Sequence, residues 1–230
     1  MELMVGITIG LIVAAGASLI AVNQITEHRR LMLETQVQQD LRAAADLLQQ
    51  DMRRAGFRGE AQLGVWEPAS GVGTPLEVPA KLATANLYAP LIRSDDDRAR
   101  ALEYRYARGT LGEYSGGAEL SSNEYFGIKW DKVKGTLYLQ LGKKDDQPNW
   151  QPITDPETVE IVDFDIQVSD QQIPLGEFCD SPCTAAGCPA QGVRLVEFKI
   201  RGRAKHDGAV TRTLTGAERI RADAMTGACP

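Results

Sequence analysis

Leu3 to Val22 is a run of apolar or small residues interrupted only by Thr8 and Ser18, and no charge follows Glu2 until Glu27. A helix rising ~1.5 Å per residue over roughly twenty such residues spans ~30 Å, the thickness of a bilayer core. From Thr26 the pattern becomes amphipathic without a break. Val37, Leu41, Ala44, Leu48, Met52 and Ala55 are spaced 4, 3, 4, 4 and 3, which is one face of an α-helix. No Pro occurs before Phe57, and the first helix-ending signals are Gly56 and Gly59. The pattern predicts one helix of roughly 54 residues, ~80 Å long. Its first half, residues 1–25, is soluble in lipid. Its second half, 26–56, packs against a globular domain formed by 57–230.

Beyond the helix, Glu60 to Ala80 is rich in Gly, Pro and Ala and reads as a surface connection with Trp66 as an anchor. The period then becomes two. Strands are expected at Asn86–Ile92, Leu102–Ala107, Tyr125–Trp130 and Thr136–Leu141, the last two as a hairpin. Ser94–Arg98 reads as a polar turn, and Gly109–Asn123 and Lys143–Pro156 as loops. The strongest strands are Val162–Val168 and Val196–Arg201, where alternation is strict. Val210–Leu214 and Glu218–Ala222 are candidate closing strands. Strict alternation implies an antiparallel sheet buried on one face, and the long helix is the natural cover for that face. The fold class is therefore α+β.

Composition narrows the function. With 25 basic and 31 acidic residues the net charge is -6, against a nucleic-acid-binding surface. A cleaved signal peptide would need a basic start and a shorter apolar run. Asp95, Asp96 and Asp97 are adjacent and lack the Gly and spacing of a calcium loop. Cys179, Cys183 and Cys188 share a loop between the two best strands, and Cys229 stands near the C-terminus. Their x3 and x4 spacings in one loop suit disulfides better than a zinc site completed by Cys229 or His206. Of three possible connectivities, we expect one bond within the loop and one tying Cys229 back to it. His28 and His206 are isolated, and no nucleophile, phosphate-binding or metal motif is present. The sequence predicts no enzyme, no cofactor and no metal.

The opening Glu2-Leu3-Met4-Val5-Gly6-Ile7-Thr8-Ile9-Gly10-Leu11 resembles the mature start of a type IV pilin. The run Asp46-Leu47-Leu48, continued to Arg53-Arg54-Ala55-Gly56-Phe57-Arg58-Gly59, is similar to minor pilins of the PilW type, with PulJ-type pseudopilins of type II secretion as close relatives. A pilin-like fold follows from the resemblance. It further implies a basic leader ending in Gly, and an aromatic first residue, upstream of Glu2. Such a leader would also supply the positive charge missing before the apolar run; as written, the nearest positive residues are His28, Arg29 and Arg30 on its far side.

By the same resemblance, Glu2 would pair with the N-terminal amine of a neighbouring subunit, and Gly6 and Gly10 would let filament helices approach closely. The implied partners are other minor pilins, the major pilin, a tip adhesin and the inner-membrane assembly platform, with the lipid bilayer as host before assembly. The domain would sit in the periplasm and then in the pilus near its tip. The alternatives are a pseudopilin and a single-span anchored binding or sensor domain, for which Glu2 has no special role.

Overall fold

The computed structural model describes residues 2–59, 75, 86–108 and 120–229. The expected connection at 60–80, with Trp66, and most of the loop expected at 109–123 lie outside these residues.

One helix, α1 (Glu2–Met52), opens the chain. The apolar positions read from the sequence do the packing: Val37, Leu41, Ala44, Ala45, Leu48 and Met52 are buried. Burying a Leu or Met side chain contributes about 1.5–3 kcal/mol. α1 lies across β7 (Ala190–Ala204) and β8 (Asp207–Arg219). Two glycines set how closely it approaches. A Cβ on Gly202 would stand 3.1 Å from Leu41 Cδ2; one on Gly216 would stand 2.4 Å from the Phe198 ring and 3.1 Å from Gln49 Nε2. The helix stops at Met52, a few residues earlier than the pattern suggests, and residues 53–56 form a turn. Gly56, at φ +80°, takes a left-handed conformation that suits Gly. Its N–H donates to the Arg105 carbonyl at 2.8 Å, and the Phe57 carbonyl accepts from Ala107 N–H at 2.8 Å.

Where one sheet was expected there are two, both antiparallel. The first is a meander of β1 (Ile92–Asp95), β2 (Ala99–Arg105), β3 (Tyr125–Asp131), β4 (Thr136–Lys144) and β5 (Gln147–Pro152). The second has the order β6 (Val159–Pro174), β7, β8, with β9 (Ala224–Thr226) added to β7. The sheets meet at the β3–β4 hairpin. Trp130 Nε1–H donates to the Ile161 carbonyl at 3.2 Å, and Ile161 N–H donates to the Gly135 carbonyl at 2.7 Å. Leu102, Tyr104, Phe126, Ile128 and Leu137 from the first sheet join Phe164, Ile166, Val196, Ile200 and α1 in one core.

Four strand expectations need correction. Asn86–Ile92 is not a strand: the Asn86 side chain accepts from Tyr88 N–H at 3.0 Å and donates to the Gly56 carbonyl at 2.8 Å, making a turn, and Pro90 has no ladder donor. β1 instead takes in Ser94 and Asp95, so the turn is confined to Asp96–Arg98. Lys143–Pro156 is not a loop: Asp145 and Asp146, at φ 52° and 60°, make a tight hairpin turn, and β5 tolerates Pro148 and Pro152 at a sheet edge. Trp150 secures that edge strand, lying 3.1 Å from where a Gly127 Cβ would be, with Lys129 Nζ 4.5 Å from its ring centre. Finally, the two closing strands are one long β8 followed by β9, and β6 and β7 run well past the segments of strict alternation.

Candidate functional site

From Leu3 to Met32 every side chain of α1 is exposed, a free length of roughly 45 Å. Leu3 and Met4 are 77 and 78 % exposed, and Ile25 and Met32 still 61 and 62 %. The helix is long and apolar enough to cross a membrane, and its most apolar window has no buried part. Its few hydroxyls are internally satisfied. Thr8 donates to the Met4 carbonyl at 2.7 Å, Ser18 to Ala14 at 2.9 Å and Thr26 to Val22 at 2.9 Å. A helix whose hydroxyls, and whose backbone groups beyond the first turn, are bonded internally can enter lipid or a bundle of other helices.

Glu2 opens the helix; its side chain lies outside the described residues. Gly6 and Gly10 stand one turn apart in the free half, with open space where each Cβ would be. Neither meets another part of the domain.

The other half of α1 is fastened at intervals. Glu34 bridges Arg212 and, at 3.5 Å, Arg30. Asp40 accepts from the Thr158 hydroxyl at 3.2 Å. Asp51 accepts from Tyr104 at 2.6 Å and Tyr106 at 3.4 Å. Burial, and then the Asp51 charge, push the Tyr104 hydroxyl well above the ordinary tyrosine pKa, so it stays a donor. Arg53 bridges Glu218 at 3.0 Å. Of the run Arg53-Arg54-Ala55-Gly56-Phe57-Arg58, Arg53 makes that bridge, Ala55 and Arg58 are buried, and Gly56 makes the turn. The motif is the hinge plate between helix and sheets.

Sequence reasoning missed Tyr104 and Arg194. Arg194 is buried on β7, donating to the Ala89 carbonyl and, at 3.0 Å, to the Ala222 carbonyl, and desolvation lowers its pKa. It ties two otherwise separate connections to the sheet. The one available signal was an Arg at a position where the β7 alternation calls for an apolar residue.

At the far end of the domain Cys183 pairs with Cys188 inside the loop, and Cys179 with Cys229 across 50 residues. The Asp95–Asp97 run serves the turn. Asp95 accepts from Arg100 at 2.9 Å and Lys132 at 2.8 Å, and Asp96 Oδ1 accepts from the N–H groups of Arg98 and Ala99, both at 2.7 Å. Among the described residues no cluster of His, Cys, Asp or Glu is placed to hold a metal. His28 and His206 are both exposed.

A helix half fastened to a disulfide-bearing domain and half free for lipid or other helices is the architecture of a pilin. A family model described as PpdB, prepilin peptidase-dependent protein B, matches residues 30–220. The chain belongs to that family. The PpdB match covers the fastened half of α1, the first sheet and β6 to β8 of the second. The family is pilin-related, and it gives the chain a minor-pilin or pseudopilin role in association with other pilus or pseudopilus components. No curated protein and no solved structure matches the chain.

Proposed function

We propose that this protein is a minor pilin of the PilW type. It takes part in initiating type IV pilus assembly and in the pilus tip complex, working by association and without turnover. The observation that carries the reading is the fully exposed apolar half of α1, continuous with a half that is pinned to the domain. Before assembly the apolar half rests in the inner membrane, with the domain in the periplasm; two disulfides suit that oxidising compartment. On assembly the helix exchanges lipid for the helices of other minor pilins and the major pilin.

Glu2 is the residue that makes this exchange directional. An unpaired carboxylate drawn into lipid or a bundle of apolar helices costs up to about 3 kcal/mol, the value for the centre of a bilayer. The N-terminal amine of a neighbour removes that cost once the subunit is seated. Gly6 and Gly10 give neighbouring helices a small-residue face.

The test is Glu2→Ala in the leader-bearing gene, with surface filaments counted and leader processing and protein level measured in the same cells. Filaments should fall at least tenfold with processing and level unchanged. Wild-type filament numbers would sink the charge-pairing role. A loss of protein secretion with filaments intact would move the protein to the pseudopilins.

A further inference from the structure

Among the described residues, no strand pairs with the outer edge of the second sheet. β6 is its outer strand, and the first sheet covers only the beginning of it: Trp130 and the Gly135 carbonyl engage Ile161, and Arg100 Nη1 donates to the Phe164 carbonyl at 2.6 Å. Those contacts show that Phe164 directs its backbone away from β7. The register from Asp163 to Pro174 is unbroken, so Ile166, Val168, Asp170 and Gln172 also turn N–H and C=O outward. From Gln167 to Pro174 every side chain is exposed. Val168 and Ile173 are 37 and 40 % exposed, and Phe178, just beyond in the disulfide-bonded loop, is 82 % exposed.

Natural sheets protect such edges with short strands, Pro, Lys, bulges or a covering element. The other edges here follow that rule. β1 has four residues, β5 carries Pro148 and Pro152, and β8 carries Arg212 and Arg219. β6 has no Lys or Arg, no Pro before Pro174 and no bulge after Asp163. We propose that this edge, Ile166–Gln172, receives a strand from another subunit of the assembly. The inference rests on the reading of the protein as an assembly subunit.

Charge and geometry define the occupant. Residues 159–193 contain Glu160, Asp163, Asp165, Asp170, Glu177 and Asp180 and no basic residue. The first three bridge Arg203, Lys199 and Arg100. Asp170 lies across the ladder from the buried Arg194, whose charge it attracts, and among the described residues Glu177 and Asp180 have no ion pair. The incoming strand therefore carries Lys or Arg beside apolar residues.

The β6 edge of a second copy does not fit. β6 runs in the direction of α1: Glu34 meets Arg212, whose ladder leads through Gly202 to Ile161, while Gln49 meets Gly216, whose ladder leads through Phe198 to Ile166. An antiparallel twofold pair of β6 edges would point the two helices in opposite directions, which one membrane cannot host. A parallel twofold pair would set each outward residue level with its own copy, whereas a parallel ladder sets an outward residue opposite an inward one. With β6-to-β6 pairing ruled out, the strand is assigned to a different subunit.

The experiment compares amide exchange, resolved to single residues, in the full-length protein purified alone in detergent and in the same protein within sheared filaments. The N–H groups of Ile166, Val168, Asp170 and Gln172 should exchange at least tenfold more slowly in filaments. Presence in filaments without that protection would overturn the strand proposal and leave the assembly role standing; absence from both filaments and secretion pseudopili would overturn both. Val168→Pro removes an outward donor without breaking the β6–β7 ladder. It and Asp170→Lys should each lower incorporation at least tenfold. Asp170 faces the buried Arg194 across the ladder, so the Asp170→Lys protein is first shown to keep the wild-type melting temperature; its wild-type incorporation would then also overturn the proposal.

Discussion

At the scale of single residues, the decisive positions are those where contact leaves no room. Gly216 holds α1 close to the sheet, and an added methyl would enter the Phe198 ring. Gly216→Ala should lower stability by about 1–3 kcal/mol, the usual cost of overpacking, as read by thermal unfolding. Tyr104 gives a second test. Its pKa is raised in the fold, so the folded state keeps a proton that the unfolded chain releases above about pH 10. Its contribution is complete below that pH and is lost as pH rises further. In an absorbance titration one tyrosine should ionise only together with unfolding. Tyr104→Phe should remove that step and cost about 1–3 kcal/mol at neutral pH by leaving Asp51 without its closest donor. Neither role was legible in the sequence. A Gly in an alternating strand reads the same whether it faces water or a helix, and Tyr104 looked like any apolar position until Asp51 was brought beside it.

At the scale of elements, legibility followed burial. Val37 to Met52 announced their face because all of them are buried on one side. β7 was found where Val196, Phe198 and Ile200 alternate with charge. β5 was missed because it belongs to an edge, where Pro148 and Pro152 are harmless and packing rests on Trp150 alone. The outer half of β6 was missed because residues 167–174 are exposed on both faces, so no hydrophobic alternation marks them. Pairing with β7 holds them, and the disulfides fix the loop that joins the two strands. Those bonds should differ in worth. In the loop-entropy account, closing 50 residues contributes about 4 kcal/mol and closing 5 about 2 kcal/mol. Cys179→Ser should therefore lower the denaturation midpoint more than Cys183→Ser, each compared under oxidising conditions with a remaining intact bond.

At the scale of the whole molecule, the two halves of α1 divide the work. Residues 3–32 offer surface to lipid or to other helices, while the domain keeps its polar contacts to itself. The apolar half was the most legible part of the chain, since about twenty residues without a charge match the thickness of a bilayer core. The partner that Glu2 meets was legible only through the resemblance to pilins, because a single carboxylate carries no record of the group that neutralises it. The continuity of α1 has a mechanical consequence. A pull on its apolar end travels through one unbroken hydrogen-bonded rod and reaches the domain along the rod's flank. There Arg212, Thr158, Tyr104 and Glu218 hold Glu34, Asp40, Asp51 and Arg53, side by side with the buried Leu and Met contacts. Loaded in this way, the attachments share the force in shear and must yield together, whereas a helix held only at its tip would peel away one contact at a time.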